Sequence, residues 1–259
     1  MFLPIGDDNP HTKIPIVNYT LLGLCVMVFL WQFSLPEETG DAAVYMFGLI
    51  PGDLFGTTQI EMARPPAILT MFTSMFLHGG WMHLLGNMGY LWIFGDNIEA
   101  SLGHVRYLMF YLLCGVVAAL AHALAAPGSD IPMIGASGAI SGVLGAYLVL
   151  HPRANIRVFV WIIIYFSVWN LPAFIVLGFW FGGQLLSSMN VDPGEPGIAF
   201  MAHIGGFVAG AVLVFFFKKR EVKAFEPAHS RAFALDKRPV SIKRGGSVPR
   251  AGGPRGPWG

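Results

Sequence analysis

The sequence predicts an all-α membrane protein, a bundle of six transmembrane helices with both termini in the cytoplasm. Three observations lead to this fold class: the composition, the lengths of the apolar segments and the positions of the basic residues. Of the 259 residues, 54% are hydrophobic and 12% are charged, whereas a soluble domain has about 25% charged residues. The mean hydropathy is +0.60. These values exclude an ordinary soluble enzyme and predict several membrane spans.

Six apolar segments approach the roughly 20 residues that a membrane span requires. They lie near residues 14–35, 81–99, 105–126, 136–151, 169–188 and 199–217. The fifth is the hardest to delimit, because 155–189 is too long for one helix and too short for two. Asn170 and Pro172 interrupt this region, and residues 158–166 are β-branched and aromatic. We therefore predict an interfacial or partly extended stretch at 158–166 that leads into the fifth helix.

The basic residues predict how these spans are oriented. With six spans, one side of the membrane receives Lys13, Arg106, Arg153, Arg157 and the basic C-terminal tail. The other side receives Arg64 and most of the acidic loop residues. The positive-inside rule makes the first side cytoplasmic. We expect the membrane to be a bacterial inner membrane.

The chain divides into three predicted regions. Residues 1–13 form a cytoplasmic segment, residues 14–217 form the membrane domain with a long outer loop at 36–80, and residues 218–259 form a basic, disordered tail. Eleven of the sixteen Lys and Arg lie in this tail, which predicts a topological anchor attracted to anionic lipid rather than a nucleic-acid site. The first span is predicted to be a retained signal anchor. No disulfide is predicted between Cys25 and Cys114, which both fall within spans.

Two polar residues stand at the starts of apolar spans: Ser137, at the fourth, and His203, at the sixth. A polar residue in a membrane segment indicates a functional site, because its desolvation is costly. Six spans place both residues at the outer ends of their helices, and serine with histidine can perform nucleophilic catalysis. The alternatives are a serine bonded to its own helix carbonyl and a histidine bonded to a neighbouring helix.

Other residues near these two fit a shared site. His83 and Asn87, spaced i and i+4, lie on one face of the second helix and could donate hydrogen bonds to an oxyanion, or simply join two helices. Small residues predict close packing of the fourth helix on the sixth. They are Gly138 and Gly142 after the serine, and Gly206 and Gly210 after the histidine.

A metal site is a further reading, since His78, His83 and His203 could gather at the outer face. The sequence has neither a His-Glu-x-x-His motif nor a cysteine pair suited to zinc, so no metal or cofactor is predicted. Asp96 and Glu99 lie near the inner end of the second helix. They are predicted to be structural rather than third members of a catalytic triad.

Together these motifs resemble the rhomboid family of intramembrane serine proteases, over about residues 75–217. Four elements occur in the family's order and spacing, which is more specific than any one of them. They are Gly135-Ala136-Ser137-Gly138, Ala202-His203-Ile204-Gly205-Gly206 with Gly210, His83-Leu84-Leu85-Gly86-Asn87, and Glu99 followed by Gly103.

The resemblance implies a rhomboid-like bundle and a Ser-His dyad without an aspartate. Ser137 would attack the scissile carbonyl, and His203 would act as general base and then as acid. His83, Asn87 and the backbone N–H of Ser137 would hold the oxyanion, and Glu99 would be structural. The implied substrates are single-pass transmembrane proteins cut near the outer end of their helix. The fifth helix, or the loop 189–198, would be the gate.

Two departures from the family pattern leave questions open. Many members have a tyrosine four residues after the nucleophile, where this chain has Ser141, so the sequence does not say what orients His203. The outer loop also lacks the family's Trp-Arg pair. The alternatives are a catalytically silent rhomboid-like protein that binds transmembrane helices, and a small transporter, although we find neither repeats nor broken helices. The oligomeric state is open.

Overall fold

The computed structural model describes residues 2–10, 13–58, 60–162, 164–189, 200–228, 230 and 232. The predicted spans correspond to six helices: α1 (Ile16–Ser34), α5 (Trp81–Leu102), α6 (His104–Ala125), α7 (Ser137–Leu150), α8 (Ala173–Ser188) and α9 (Phe200–Phe217). Between α1 and α5 lie three shorter helices, α2 (Glu37–Phe47), α3 (Pro51–Leu54) and α4 (Ala67–Thr73), and the 3₁₀ turn Ser74–Phe76. Three strands complete the described elements: β1 (Phe2–Asp7), β2 (Asn155–Ile162) and β3 (Tyr165–Pro172).

Three helices of the described chain are long and apolar enough to cross a membrane: α1, α6 and α9. The chain is therefore an integral membrane protein. Helix α5 has 22 residues, but Asp96, Asn97 and Glu99 lower its hydropathy. Helix α7 has 14 residues, so it is about 21 Å long and falls short of a hydrocarbon core about 30 Å thick. The count of six spans stays a prediction.

Helix α7 lies at the centre of the bundle. All its residues from Gly138 to Tyr147 are buried. Half of its residues are Gly, Ala or Ser, which lets α6 and α9 pack directly against it. The largest fully buried side chains of the core are Tyr107 and Tyr111 of α6 and Tyr147 of α7. A central, short helix places its first residue, Ser137, inside the bundle rather than at its edge.

A small antiparallel sheet lies at the end of the bundle opposite Ser137. Its strand order is β1-β2-β3, with a register shift between Pro4 and Gly6 in β1. The predicted extended stretch at 158–166 is confirmed by β2 and β3. The predicted start of the fifth helix at 169 is wrong, because β3 continues to Pro172 and α8 begins at Ala173. Pro172 disfavours helical conformation in Leu171, the residue before it, and pairing with β2 keeps 169–171 extended.

Both terminal segments contribute to this end of the fold. In residues 1–13, which are predicted to be a cytoplasmic segment, β1 pairs with β2, and Asp7 accepts a 2.5 Å hydrogen bond from Tyr147. In the tail, which is predicted to be disordered, the N–H of Phe225 donates to the carbonyl of Val149 at 2.9 Å. The division into three regions stays a prediction. The rest of the tail, apart from residues 230 and 232, lies outside the described residues.

The outer loop at 36–80 is mostly helical and is tied down by a buried arginine. Nη2 of Arg64 donates to the carbonyl of Gly48 at 2.7 Å, and Nη1 forms a 3.2 Å ion pair with Asp53. Leu49 pairs with Met133 in an isolated antiparallel bridge. These contacts attach the loop to the segment that leads into Ser137. The loop 189–198 proposed as a gate lies, except for Met189, outside the described residues.

Candidate active site

The two polar residues that the sequence singled out are in contact. Ser137 is the first residue of α7, and His203 is in the first turn of α9. The serine Oγ lies 2.8 Å from Nε2 of the imidazole, which is within the range for proton transfer between a nucleophile and a base. His203 is buried, with 9% of its surface exposed. This pair has the arrangement that an activated serine nucleophile requires.

The contact depends on the close approach of α7 and α9. A Cβ built on Gly206 would lie 2.1 Å from the carbonyl oxygen of Gly138, and one on Gly210 would lie 1.9 Å from that of Gly142. Such distances leave no room for any side chain at the crossing. Gly206 and Gly210 therefore set the helix separation that brings Ser137 within reach of His203, whereas a Cβ on Gly138 or Gly142 would first meet Ala118 or Cys114 of α6.

His83 and Asn87 face the turn that precedes Ser137. A Cβ built on Gly135 would lie 2.7 Å from Nε2 of His83 and 3.7 Å from Nδ2 of Asn87. Among the described residues, Nδ2 of Asn87 is buried without a hydrogen-bond partner. Gly135 has a φ of +122°, which is a conformation that favours glycine. Glycine at 135 thus permits both the turn and the approach of the two donors.

A small cavity of about 20 Å³ adjoins the serine, enough for one water molecule. It is lined by Ser74, Gly135, Ser137 and apolar side chains that include Met71 and Met75. The N–H of Gly135 donates to the carbonyl of Ser74 at 2.8 Å, which fixes the cavity wall. The first N–H groups of a helix have no intrahelical acceptor, so the start of α7 can serve as a donor to a ligand beside Ser137.

The sequence does not say what orients His203, and the structure shows a contact that the sequence analysis missed. Ser141 Oγ donates to the carbonyl of Ser137 at 2.7 Å, so this hydroxyl bonds its own helix. Instead, Nδ1 of His203 lies 2.6 Å from Oε1 of Gln184 in α8. The ring of Trp180, one turn earlier, lies 5.9 Å from the imidazole centroid. A glutamine within the apolar sequence of α8 was the signal that could have found this contact.

His78, the remaining histidine of the possible metal site, is not part of the Ser137–His203 pair. His78 is buried, and its ring lies 5.2 Å from that of His83. Burial, with the neighbouring His83, lowers the pKa of His78 to about 4, so this side chain is neutral at physiological pH. Among the described residues, no group of three or more His, Cys, Asp or Glu side chains is placed to hold a metal ion.

Glu99 lies far from the dyad and joins three helices. Its two carboxylate oxygens accept hydrogen bonds from the N–H groups of Val17, at 3.0 Å, and Asn18, at 2.7 Å. It also pairs with His104 at the start of α6. Asn18 in turn accepts a 2.8 Å hydrogen bond from Tyr107. A buried carboxylate thus caps the first turn of α1 and ties it to α5 and α6.

Comparison with known proteins identifies the family of this chain. The family model for the Rhomboid domain matches residues 65–220, which include every residue of the site described above. The chain belongs to the rhomboid family. This match covers α4 to α9, so β1 and α1 lie outside it.

Named relatives of this rhomboid chain come from bacteria and eukaryotes. YdcA of Bacillus subtilis is 31% identical over 145 residues, which are 56% of this chain and 68% of YdcA. The rhomboid protease GluP of the same organism is 32% identical, over 76% of this chain and 34% of GluP. Rhomboid protein 1 of Saccharomyces cerevisiae mitochondria is 30% identical, over 78% of this chain and 53% of that protein. The chain thus spans between a third and two thirds of their lengths, and at the family level it is related to proteases.

Proposed function

We propose that this rhomboid protein is an active intramembrane serine endopeptidase. The observation that carries the proposal is the 2.8 Å contact between Oγ of Ser137 and Nε2 of His203, beside the donors His83 and Asn87. A protein that only bound transmembrane helices would need neither this hydrogen bond nor the unpartnered Nδ2 of Asn87 at the same turn. The contact therefore favours catalysis over helix binding.

The proposed reaction is acyl transfer through Ser137. His203 accepts the hydroxyl proton on Nε2 as Oγ forms a bond to the scissile carbonyl carbon. The same proton then passes to the leaving amine as the peptide C–N bond breaks. In the second half, His203 takes a proton from water as the water oxygen bonds to the acyl carbon. The imidazolium then returns this proton to Oγ of Ser137 as the ester C–O bond breaks, which releases the new carboxyl terminus. All protons are exchanged through one imidazole, so no cofactor is required.

The negative charge of the tetrahedral intermediate needs donors that are already in place. His83 and Asn87 both direct a side-chain nitrogen at the turn before Ser137, and the N–H of Ser137, the first residue of α7, has no acceptor within its own helix. Removing one such donor typically costs about 10²–10³ in rate. We assign these three groups to the oxyanion hole.

The position of Ser137 within the bundle favours a transmembrane substrate. A helix of about 21 Å that reaches the inner interface leaves its first residue several ångströms below the outer one. A substrate helix must unwind to expose its carbonyls there, and small or helix-breaking residues ease this step. Single-pass membrane proteins cut near the outer end of their helix fit this geometry.

The proposed topology has six spans and cytoplasmic termini. Helices α5, α7 and α9 begin at the Ser137 end, so Lys13, Arg106, Arg153 and the start of the tail gather at the opposite end. Lys219, for example, donates from Nζ to the carbonyl of Ala100 at 2.6 Å. The positive-inside rule then places Ser137 on the outer side. We propose a bacterial inner membrane, although named relatives include mitochondrial and chloroplastic proteins.

The proposal is tested by cleavage of a model single-pass substrate with purified protein in liposomes. Ser137→Ala and His203→Ala should each lower the rate by at least about 10³-fold. Ser141→Ala is the matched control, because this serine lies one turn away on the same helix and should keep the activity within a few fold. Activity that survives in Ser137→Ala, or an inactive wild type across several substrates, would overturn the proposal and favour helix binding.

A further inference from the structure

The hydrogen bond between Gln184 and His203 is not explained by the dyad itself. Gln184 follows an unbroken run of apolar residues and glycines in α8, from Ala173 to Gly183. A polar side chain at membrane depth is costly unless it has a partner and a use. Its Oε1 lies 2.6 Å from Nδ1 of His203, on the side of the ring opposite Ser137. The imidazole is thus held through both of its nitrogens.

The chemistry of the proposed base requires one particular tautomer of His203. To accept the proton of Ser137, Nε2 must carry a free lone pair, so the ring proton must reside on Nδ1. A carbonyl oxygen can only accept a hydrogen bond, and the bond at one ring nitrogen decides the protonation of the other. Oε1 of Gln184 therefore selects the Nδ1–H form.

We propose that Gln184 is the positioning residue of the dyad, a neutral acceptor in the role that a carboxylate has in a triad. The proposal rests on the proposed function, since tautomer selection matters only if His203 acts as a base. Trp180 supports it, because residues i and i+4 share one face of a helix and both contact His203. Helix α8 thus supplies one contact to the ring nitrogen and another to the ring itself.

This arrangement makes the base depend on a helix other than its own. Of the sixteen residues of α8, Ala173 and Leu177 are buried and both lie near its start. Its second half is attached by the Gln184 bond and by aromatic packing, with Phe181 and Phe207 stacked at 4.5 Å. Displacement of this half from α9 would remove the acceptor from Nδ1. The dyad is therefore complete only when α8 is packed against α9.

Gln184→Leu removes the acceptor and replaces it with an apolar side chain of similar size. We expect kcat for cleavage of the model substrate to fall about 10–100-fold, with KM within twofold. Gln184→Glu restores an acceptor and should recover most of the lost kcat. It should also move the acidic limb of the kcat profile to higher pH, because a carboxylate stabilises the protonated imidazole. Gln32→Leu is the control: Gln32 accepts a 3.0 Å bond from the N–H of His78 and should leave the profile unchanged.

A second measurement separates this proposal from the proposed function. The ¹⁵N spectrum of histidine-labelled protein, with His203 assigned by the signals lost in His203→Ala, reports the tautomer without any turnover. We expect one Nδ1–H tautomer in the wild type and a mixture in Gln184→Leu. Wild-type kcat and an unchanged tautomer in Gln184→Leu would overturn the positioning role. If the protein shows the expected spectra but cleaves no substrate, the selection of the tautomer by Gln184 stands and the proposed protease activity is refuted.

Discussion

The glycine crossing of α7 and α9 gives a sharp prediction for Gly210→Ala. The new Cβ would lie 1.9 Å from the carbonyl oxygen of Gly142 and 2.5 Å from its Cα and carbonyl carbon. These are backbone atoms, so no rotation of a side chain can relieve the clash. The two helices must move apart by more than roughly 1 Å to reach an ordinary contact.

The magnitude follows from two opposing terms. Overpacking a core typically costs about 1–3 kcal/mol, and contact with a rigid backbone places this site near the upper end. Replacing a helical glycine by alanine gains about 0.5–1 kcal/mol in conformational free energy. We expect a net loss of about 2 kcal/mol in the free energy of unfolding. A displacement near 1 Å between reacting groups can cost about 10²-fold in rate, so cleavage should fall about 10–100-fold.

Unfolding by SDS titration and cleavage of the model substrate measure these two effects. Gly89→Ala in α5 is the matched control, since a Cβ there would have no atom within 4 Å. It should raise stability by about 0.5–1 kcal/mol and leave the rate unchanged. If Gly210→Ala were as stable and as active as Gly89→Ala, the helices would not meet at Gly142 and the assigned source of the dyad geometry would be wrong.

Two further predictions concern the turn before the nucleophile and the opposite end of the bundle. Gly135→Ala should lower the free energy of unfolding by about 1–3 kcal/mol because of the positive φ at this position. It should also displace His83, so cleavage of the model substrate should fall about 100-fold. Wild-type cleavage would show that His83 does not face this turn. Glu99→Gln should lower the free energy of unfolding by about 1.5–3 kcal/mol, because it weakens the bonds to α1. Labelling of Ser137 by a fluorophosphonate should persist below the unfolding transition. A loss under about 0.5 kcal/mol would contradict the capping role.

The helices and the contact between Ser137 and His203 could be predicted because the signals for both are local. Apolar runs locate the helices to within four residues, and the six-helix arrangement places Ser137 and His203 at the same end. The sheet could not be predicted in full. The strand at Phe2–Asp7 has no alternation that marks it, and its partner is more than 140 residues away in the chain. The backbone hydrogen bond from Phe225 to Val149 of α7 likewise depends on the tertiary fold, and the basic composition of the tail does not indicate it.

The parts of the site that were missed depend on contacts between helices. Gln184 stands in a helix whose sequence shows no link to His203, and only the packing of α8 on α9 brings them to 2.6 Å. The sequence also could not show why position 135 requires glycine, because both its positive φ and the approach of His83 arise from the fold. Sequence motifs identified the proposed reacting groups, whereas the contact of Gln184 with the proposed base required the structure.

The most direct test of the central claim is the site of covalent labelling by a fluorophosphonate, located by peptide mass spectrometry in the intact protein. The account predicts a single adduct on Ser137, lost in His203→Ala and retained in Ser141→Ala. An adduct on another serine, or cleavage of the model substrate with Ser137 unlabelled, would contradict the assignment of Ser137 as the nucleophile.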